Sequence, residues 1–131
     1  YTYSHLYQLS TTGLRFFSVY GPWGRPDMAM YIFAKNIYEG RPIVVFNYGN
    51  MNRDFTYIDD VISGIISAIE KNHVCEIFNL GNSNLENIMD MVNIIEKELS
   101  KKATINFENI QPGDVKESCA DVDYSKKKAW F

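Results

Sequence analysis

At 131 residues, with 46% apolar and 15% aromatic side chains, the chain supports one domain, and a packed core rather than disorder is expected. Its net charge is -3 and its Lys and Arg are spread along the chain, which argues against a general nucleic-acid binder. No apolar run approaches membrane-spanning length and no signal peptide opens the chain, so the expected location is the cytoplasm.

Tyr1-Thr2-Tyr3-Ser4-His5-Leu6-Tyr7 has no initiator Met and starts inside an amphipathic helix, with Tyr3, Leu6 and Tyr7 on one face, as expected of a fragment. Gly13 closes that helix or sits in the turn after it. Leu14 to Tyr20, rich in Phe and Val, reads as one buried strand. Gly21-Pro22-Trp23-Gly24-Arg25-Pro26 is a loop, because its Gly and Pro residues forbid regular structure. Asp27 caps a helix that runs to about Glu39 and ends at Gly40, with Met30, Phe33, Ala34 and Ile37 on its apolar face.

Ile43 to Phe46 is a short strand, Asn47 to Asn52 a turn region, and Arg53 to Tyr57 a second short strand. Asp59 or Asp60 starts a helix with Val61, Ile62, Ile65, Ile66 and Ile69 facing the core; its Gly64 costs about 1 kcal/mol against Ala unless something packs closely there. Glu76 to Leu80 is a strand ending at Gly81. Ser83 and Glu86 form a capping-box pattern before a helix from about Leu85 to Leu99. Thr104 to Phe107 is the last strand and Asp121 to Ala129 the last helix, whose Lys126-Lys127-Lys128 is a solvated face. Alternating strands and helices give an α/β fold, and the two strands between Ile43 and Tyr57 suggest a small mixed sheet beside a larger parallel one.

Three side-chain patterns carry chemistry. Arg25, braced by Gly and Pro, suits two-point recognition of a carboxylate or phosphate, or else pairs at the surface with Asp27. Arg53, at a strand start, can neutralise a diphosphate. Asp54, Asp59 and Asp60 look like a metal cluster, but Asp59 and Asp60 sit where carboxylates satisfy the free N–H groups of a helix start, so no metal is expected. Cys75 and Cys119 read as free thiols in a reducing cytosol, and His5 and His73 as surface or helix-end residues.

Leu14 to Pro22, Gly24 to Met28, Arg53 to Asp60 and Gln111 to Asp114 together resemble the carboxy-terminal, nucleotide-sugar-binding part of an extended short-chain dehydrogenase/reductase, with the NAD-dependent UDP-glucuronate 4-epimerases as the nearest family. The resemblance runs to Lys127-Lys128-Ala129-Trp130. It lacks the glycine-rich dinucleotide loop, and no Tyr-x-x-x-Lys pair precedes the phenylalanine-rich strand. It implies one substrate-binding region over residues 1–131, a UDP-sugar substrate, NAD bound mostly by a missing half, a homodimer, and no catalytic residue within these residues. By resemblance, main-chain groups at Phe17 and Val19 meet the nicotinamide, and Ser18 lies near the sugar. Arg25 reads the C6 carboxylate, Phe46 stacks on uracil as an alternative to plain core, Arg53 meets the phosphates and Asp114 the ribose. Many relatives carry arginine where Gln111 stands, so the phosphate clamp here depends more on Arg53. The implied setting is surface or capsular polysaccharide synthesis. The alternatives are a UDP-hexose epimerase, dehydratase or decarboxylase of the same fold, or a non-catalytic nucleotide-sugar-binding module.

Overall fold

Fourteen elements follow one another through Tyr1–Lys128, the residues that the computed structural model describes. They are α1 (Thr2–Tyr7), β1 (Thr11–Phe16), β2 (Ser18–Tyr20), α2 (Ala29–Glu39), β3 (Ile43–Phe46), a 3-10 turn (Asn47–Gly49), β4 (Asn52–Tyr57) and α3 (Ile58–Lys71). Then come β5 (Cys75–Leu80), β6 (Leu85–Asn87), α4 (Ile88–Leu99), β7 (Ile105–Glu108), β8 (Glu117–Ser118) and α5 (Asp123–Lys128). The expected extension of the last helix to Ala129, and Trp130 beyond it, lie outside the described residues. The α/β reading holds, with the described strands shared among three small sheets. In one of them β2, β4 and β6 lie in that order, and β8 runs parallel to β4.

The chain divides into two compact units. The first comprises Tyr1–Val19, Asp54–Asn84 and the residues from Cys119 onward. Here β1 and β5 pair in parallel, from Thr11 opposite Cys75 to Phe16 opposite Leu80. Phe78 and Leu80 are buried in β5, with Val61 and Ala68 of α3 and Ala120 and Val122. Gly13 lies inside β1 rather than ending α1, which stops at the left-handed Gln8. The expected strand over Leu14 to Tyr20 is two strands, broken at Phe17, whose carbonyl accepts the Val19 N–H at 3.0 Å.

Two further expectations fail in this unit. In α3 the buried residues are Val61, Gly64 and Ala68, while Ile62, Ile66 and Ile69 are exposed. Periodicity alone favoured the larger side chains, but a buried glycine moves the inward stripe toward small residues. Ser83 does not cap a helix: its N–H donates to Asp54 Oδ2 at 2.9 Å and its hydroxyl to the Ala120 carbonyl.

The second unit comprises Tyr20–Arg53 and Leu85–Ser118. β3 and β7 pair in parallel, Ile43 opposite Ile105, and α2 packs against α4. Phe33, Ile37, Ile43, Val45, Met91 and Val92 form its core. Gly40 ends α2 as expected, at φ 70°, with its N–H on the Asn36 and Ile37 carbonyls. Asp27 does not cap that helix. The cap residue is Met28, whose side chain makes no cap bond, and the Asp27 carboxylate is engaged by Arg25. α4 starts three residues later than the sequence suggests, where Asn87 accepts the Met89 N–H at 2.8 Å.

Candidate functional site

Arg53 begins as a strand residue paired in register with Ser118, and its side chain is only 17% exposed. Its Nη1 donates to the Asn52 carbonyl at 2.9 Å and the Lys116 carbonyl at 3.2 Å. Its Nη2 donates to Asp114 Oδ1 at 2.9 Å. Asp114 is itself fixed: Oδ1 also accepts the Val115 N–H at 2.8 Å, and the Asp114 N–H closes a turn onto the Gln111 carbonyl at 3.1 Å. Gly113 supports that turn at φ 85°, a conformation that L side chains rarely adopt. The second unit therefore brings two of the expected site residues, Arg53 and Asp114, into one ion pair.

Arg25 stands in the same unit, in a loop closed by a Gly24 N–H on the Gly21 carbonyl and a Met28 N–H on the Arg25 carbonyl. Its Nε reaches Asp27 Oδ1 at 3.1 Å and its Nη2 reaches Oδ2 at 2.9 Å. Both side chains are mostly exposed, 73% and 67%, so this pair contributes little to stability. It does demonstrate the chemistry: the guanidinium presents two parallel donors and a carboxylate fits them.

Phe46 is half-buried at the end of β3. The turn region expected from Asn47 follows that strand. Asn47 and Tyr48 both have positive φ, 49° and 53°, and Gly49 comes next at 81°. A Cβ on Gly49 would lie 2.7 Å from Met89 Cγ, so only glycine fits there. Tyr48, 65% exposed, stacks on Phe107 with ring centroids 6.4 Å apart. No local pattern marks a Tyr48–Phe107 pair, because the two residues lie far apart in sequence.

Phe17, Ser18 and Val19 belong to the first unit, at the break between β1 and β2. The Val19 N–H is already satisfied by the Phe17 carbonyl, whose second lone pair could still accept from an amide. Asp54, unlike the exposed Asp59 and Asp60 of the α3 start, is fully buried. It holds four donors of the same unit: Thr56 Oγ1 and the N–H groups of Asn82, Ser83 and Ala120. Among the described residues no three His, Cys, Asp or Glu side chains gather as metal ligands. His5 stacks on Tyr1 in α1, and His73 sits just beyond α3 with its ring edge toward Phe78, centroids 5.0 Å apart. Two Tyr-x-x-x-Lys spacings do occur after β1. Tyr31 and Lys35 are exposed on α2, and the Tyr124 hydroxyl, four residues before Lys128, is bonded to Glu76 at 2.7 Å.

A profile of the NAD dependent epimerase/dehydratase family matches residues 1–81. An uncharacterized protein of Methanocaldococcus jannaschii is 54% identical over 97% of this chain and 39% of its own. A UDP-glucuronate 4-epimerase of Thermodesulfobacterium geofontis is 45% identical, over 97% of this chain and 39% of its own. A solved UDP-glucuronic acid 4-epimerase of Bacillus cereus, in complex with UDP-glucuronic acid and NAD, superposes with a TM-score of 0.91 at 38% identity, covering 98% of this chain and 41% of that one. The chain thus spans well under half the length of the relatives it matches.

Proposed function

The chain belongs to the NAD dependent epimerase/dehydratase family, and from that premise we propose that it is the nucleotide-sugar-binding part of an NAD-dependent UDP-glucuronate 4-epimerase. The observation that supports the reading is the two-donor edge of Arg25, which holds one carboxylate, that of Asp27, on two parallel donors. Asp27 stands in there for the C6 carboxylate of the sugar. Arg53, held by Asp114 and two carbonyls, would meet the diphosphate. Phe46 would stack on uracil, Ser18 would lie near the sugar, and Asp114 would reach the ribose only by turning from Arg53. A UDP-uronic acid is an activated donor for glycosyl transfer, which fits surface or capsular polysaccharide synthesis.

NAD, when bound, supplies the acceptor and donor of the hydride at C4. The residues of this chain fit only the nicotinamide end of that group, through the Phe17 carbonyl and the backbone at Val19. Their work is binding and orientation. A sugar anchored at its phosphates by Arg53 and at C6 by Arg25 has its C4 fixed between two charged contacts, which is the entropic part of catalysis. Inversion also requires the sugar ring to present its other face, so anchoring at the nucleotide must persist while the sugar turns.

The test is differential. Arg25→Ala should penalise UDP-glucuronate far more than UDP-glucose, because only the acid loses a charge-assisted partner of about 1.5–3 kcal/mol, roughly ten- to a hundredfold in kcat/KM. Arg25→Lys should recover little, since an ammonium cannot reproduce the planar fork. Equal losses for both sugars would place Arg25 at the loop or the phosphates and remove the uronate assignment.

A further inference from the structure

We infer that Asp27 is an exchange partner for the substrate carboxylate: it yields the two-donor edge of Arg25 when a uronate binds and takes it back while the sugar turns. This role rests on the carboxylate reading of Arg25 given above and adds a second residue to it.

The Arg25–Asp27 pair has the form of a contact that can be swapped. Arg25 Nε donates to Oδ1 at 3.1 Å and Nη2 to Oδ2 at 2.9 Å, so one carboxylate fills the edge that a uronate would use. Asp27 has no second task among the described hydrogen bonds, since the cap of α2 is Met28, without a side-chain bond. The two side chains are 73% and 67% exposed, and an ion pair so placed is weak in water, so another carboxylate displaces it readily. The Arg53–Asp114 pair of the same unit differs: its side chains are 17% and 34% exposed, and two carbonyls also hold the guanidinium.

The loop keeps the displaced carboxylate at hand. Pro26, with its fixed φ, separates the two residues, and the Met28 N–H closes onto the Arg25 carbonyl at 3.2 Å. Without Asp27 the acceptor left to Nη2 is Met28 Sδ at 3.8 Å, and a thioether is a weak one. Inversion at C4 makes the exchange useful. A sugar held at C6 cannot present its other face, so the Arg25 contact must break and re-form in each turnover. With Asp27 present, that break replaces one carboxylate by another on the same two donors. Asp27 therefore weakens the bound uronate and stabilises the turning state, and both effects raise kcat.

The measurement is kcat and KM for UDP-glucuronate with NAD, and UDP affinity by calorimetry, on the intact protein. The variants are Asp27→Asn, Asp27→Glu, Arg25→Ala and the Arg25→Ala/Asp27→Asn double variant. Asp27→Asn should lower KM about two- to fivefold, the size of an exposed ion pair, and should lower kcat by a similar factor. Asp27→Glu, which keeps a carboxylate, should recover much of kcat. UDP affinity should not move, because UDP brings no uronate. In the Arg25→Ala background Asp27→Asn should change neither constant. A higher KM in Asp27→Asn overturns the inference, since Asp27 would then be orienting Arg25. A lower KM with kcat unchanged, or an equal tightening of UDP, also overturns it, leaving Asp27 a competitor or a nearby charge. So does a shift that persists without Arg25. An effect of Arg25→Ala on UDP-glucuronate with none of Asp27→Asn removes the exchange and leaves the uronate reading intact. UDP-glucuronate kinetics unmoved by Arg25→Ala remove both.

Discussion

Both oxygens of the buried Asp54 are fully used. Oδ1 accepts the Thr56 hydroxyl at 3.0 Å and the Asn82 N–H at 2.7 Å, and Oδ2 accepts the Ser83 and Ala120 N–H groups at 2.9 and 3.0 Å. The acidic spacing that suggested a metal in the sequence thus ties together three segments of the first unit. Gly81 lets them meet: a Cβ there would lie 2.4 Å from that of Ala120 and 2.9 Å from Asp54 Oδ2. Asp54→Asn should be costly, since an amide would turn NH2 donors toward backbone N–H groups and leave two of them unsatisfied. The expected loss is about 3 kcal/mol in urea unfolding. A loss under about 1 kcal/mol would show that the carboxylate is not what holds these segments. The same scale explains why the site was only half legible. The two-donor chemistry of Arg25 and Arg53 follows from residue type and bracing loops, and the Arg25–Asp27 pair is two residues apart, but the partner of Arg53 does not follow. Asp114 lies far from Arg53 in sequence, whereas Asp27 reads both as a helix cap and as the partner of Arg25, and the second reading holds.

At the scale of elements, the strands expected from Ile43, Arg53 and Glu76, the last two beginning one residue earlier in the structure, and the ends of α2 and α4 were readable, because alternation and a left-handed C-cap are local signals. The misreadings differ in cause. The break at Phe17 goes with a local bond from the Val19 N–H and the inward stripe of α3 with a buried Gly64, whereas Ser83 is held away from a helix cap by Asp54, distant in sequence. The end of α4 shows the same long reach in a titratable form. Glu96 accepts Lys102 Nζ at 2.6 Å and the Ala103 N–H at 2.8 Å, tying the chain after the helix back to its last turn. The Lys102 bond and then the Ala103 bond hold its carboxyl below the ordinary 4.5. A depressed carboxylate pKa gives stability that is present above the unfolded value and lost as pH falls through the folded one. Glu96→Gln should therefore melt lower than the parent at pH 7, and the gap should close on acidification below 4.5. A gap that stays constant across that range would mean that the Glu96 contacts do not depend on its charge.

At the scale of the whole molecule, two units share one chain that crosses between them within β2, within β4, just before β6 and just after β8. Among the described residues no helix is long and apolar enough to cross a membrane. The expected region over residues 1–131 is thus two structural units, with the proposed phosphate and carboxylate contacts on the second and the proposed nicotinamide contacts on the first. The most direct test is kcat/KM of the intact protein with NAD for UDP-glucuronate and UDP-glucose, the products separated by chromatography. The account predicts the C4 epimer of UDP-glucuronate, formed with a preference over UDP-glucose of about tenfold or more, the worth of one charge-assisted contact. Equal turnover of the two sugars, or release of carbon dioxide or water in place of epimerisation, would contradict it.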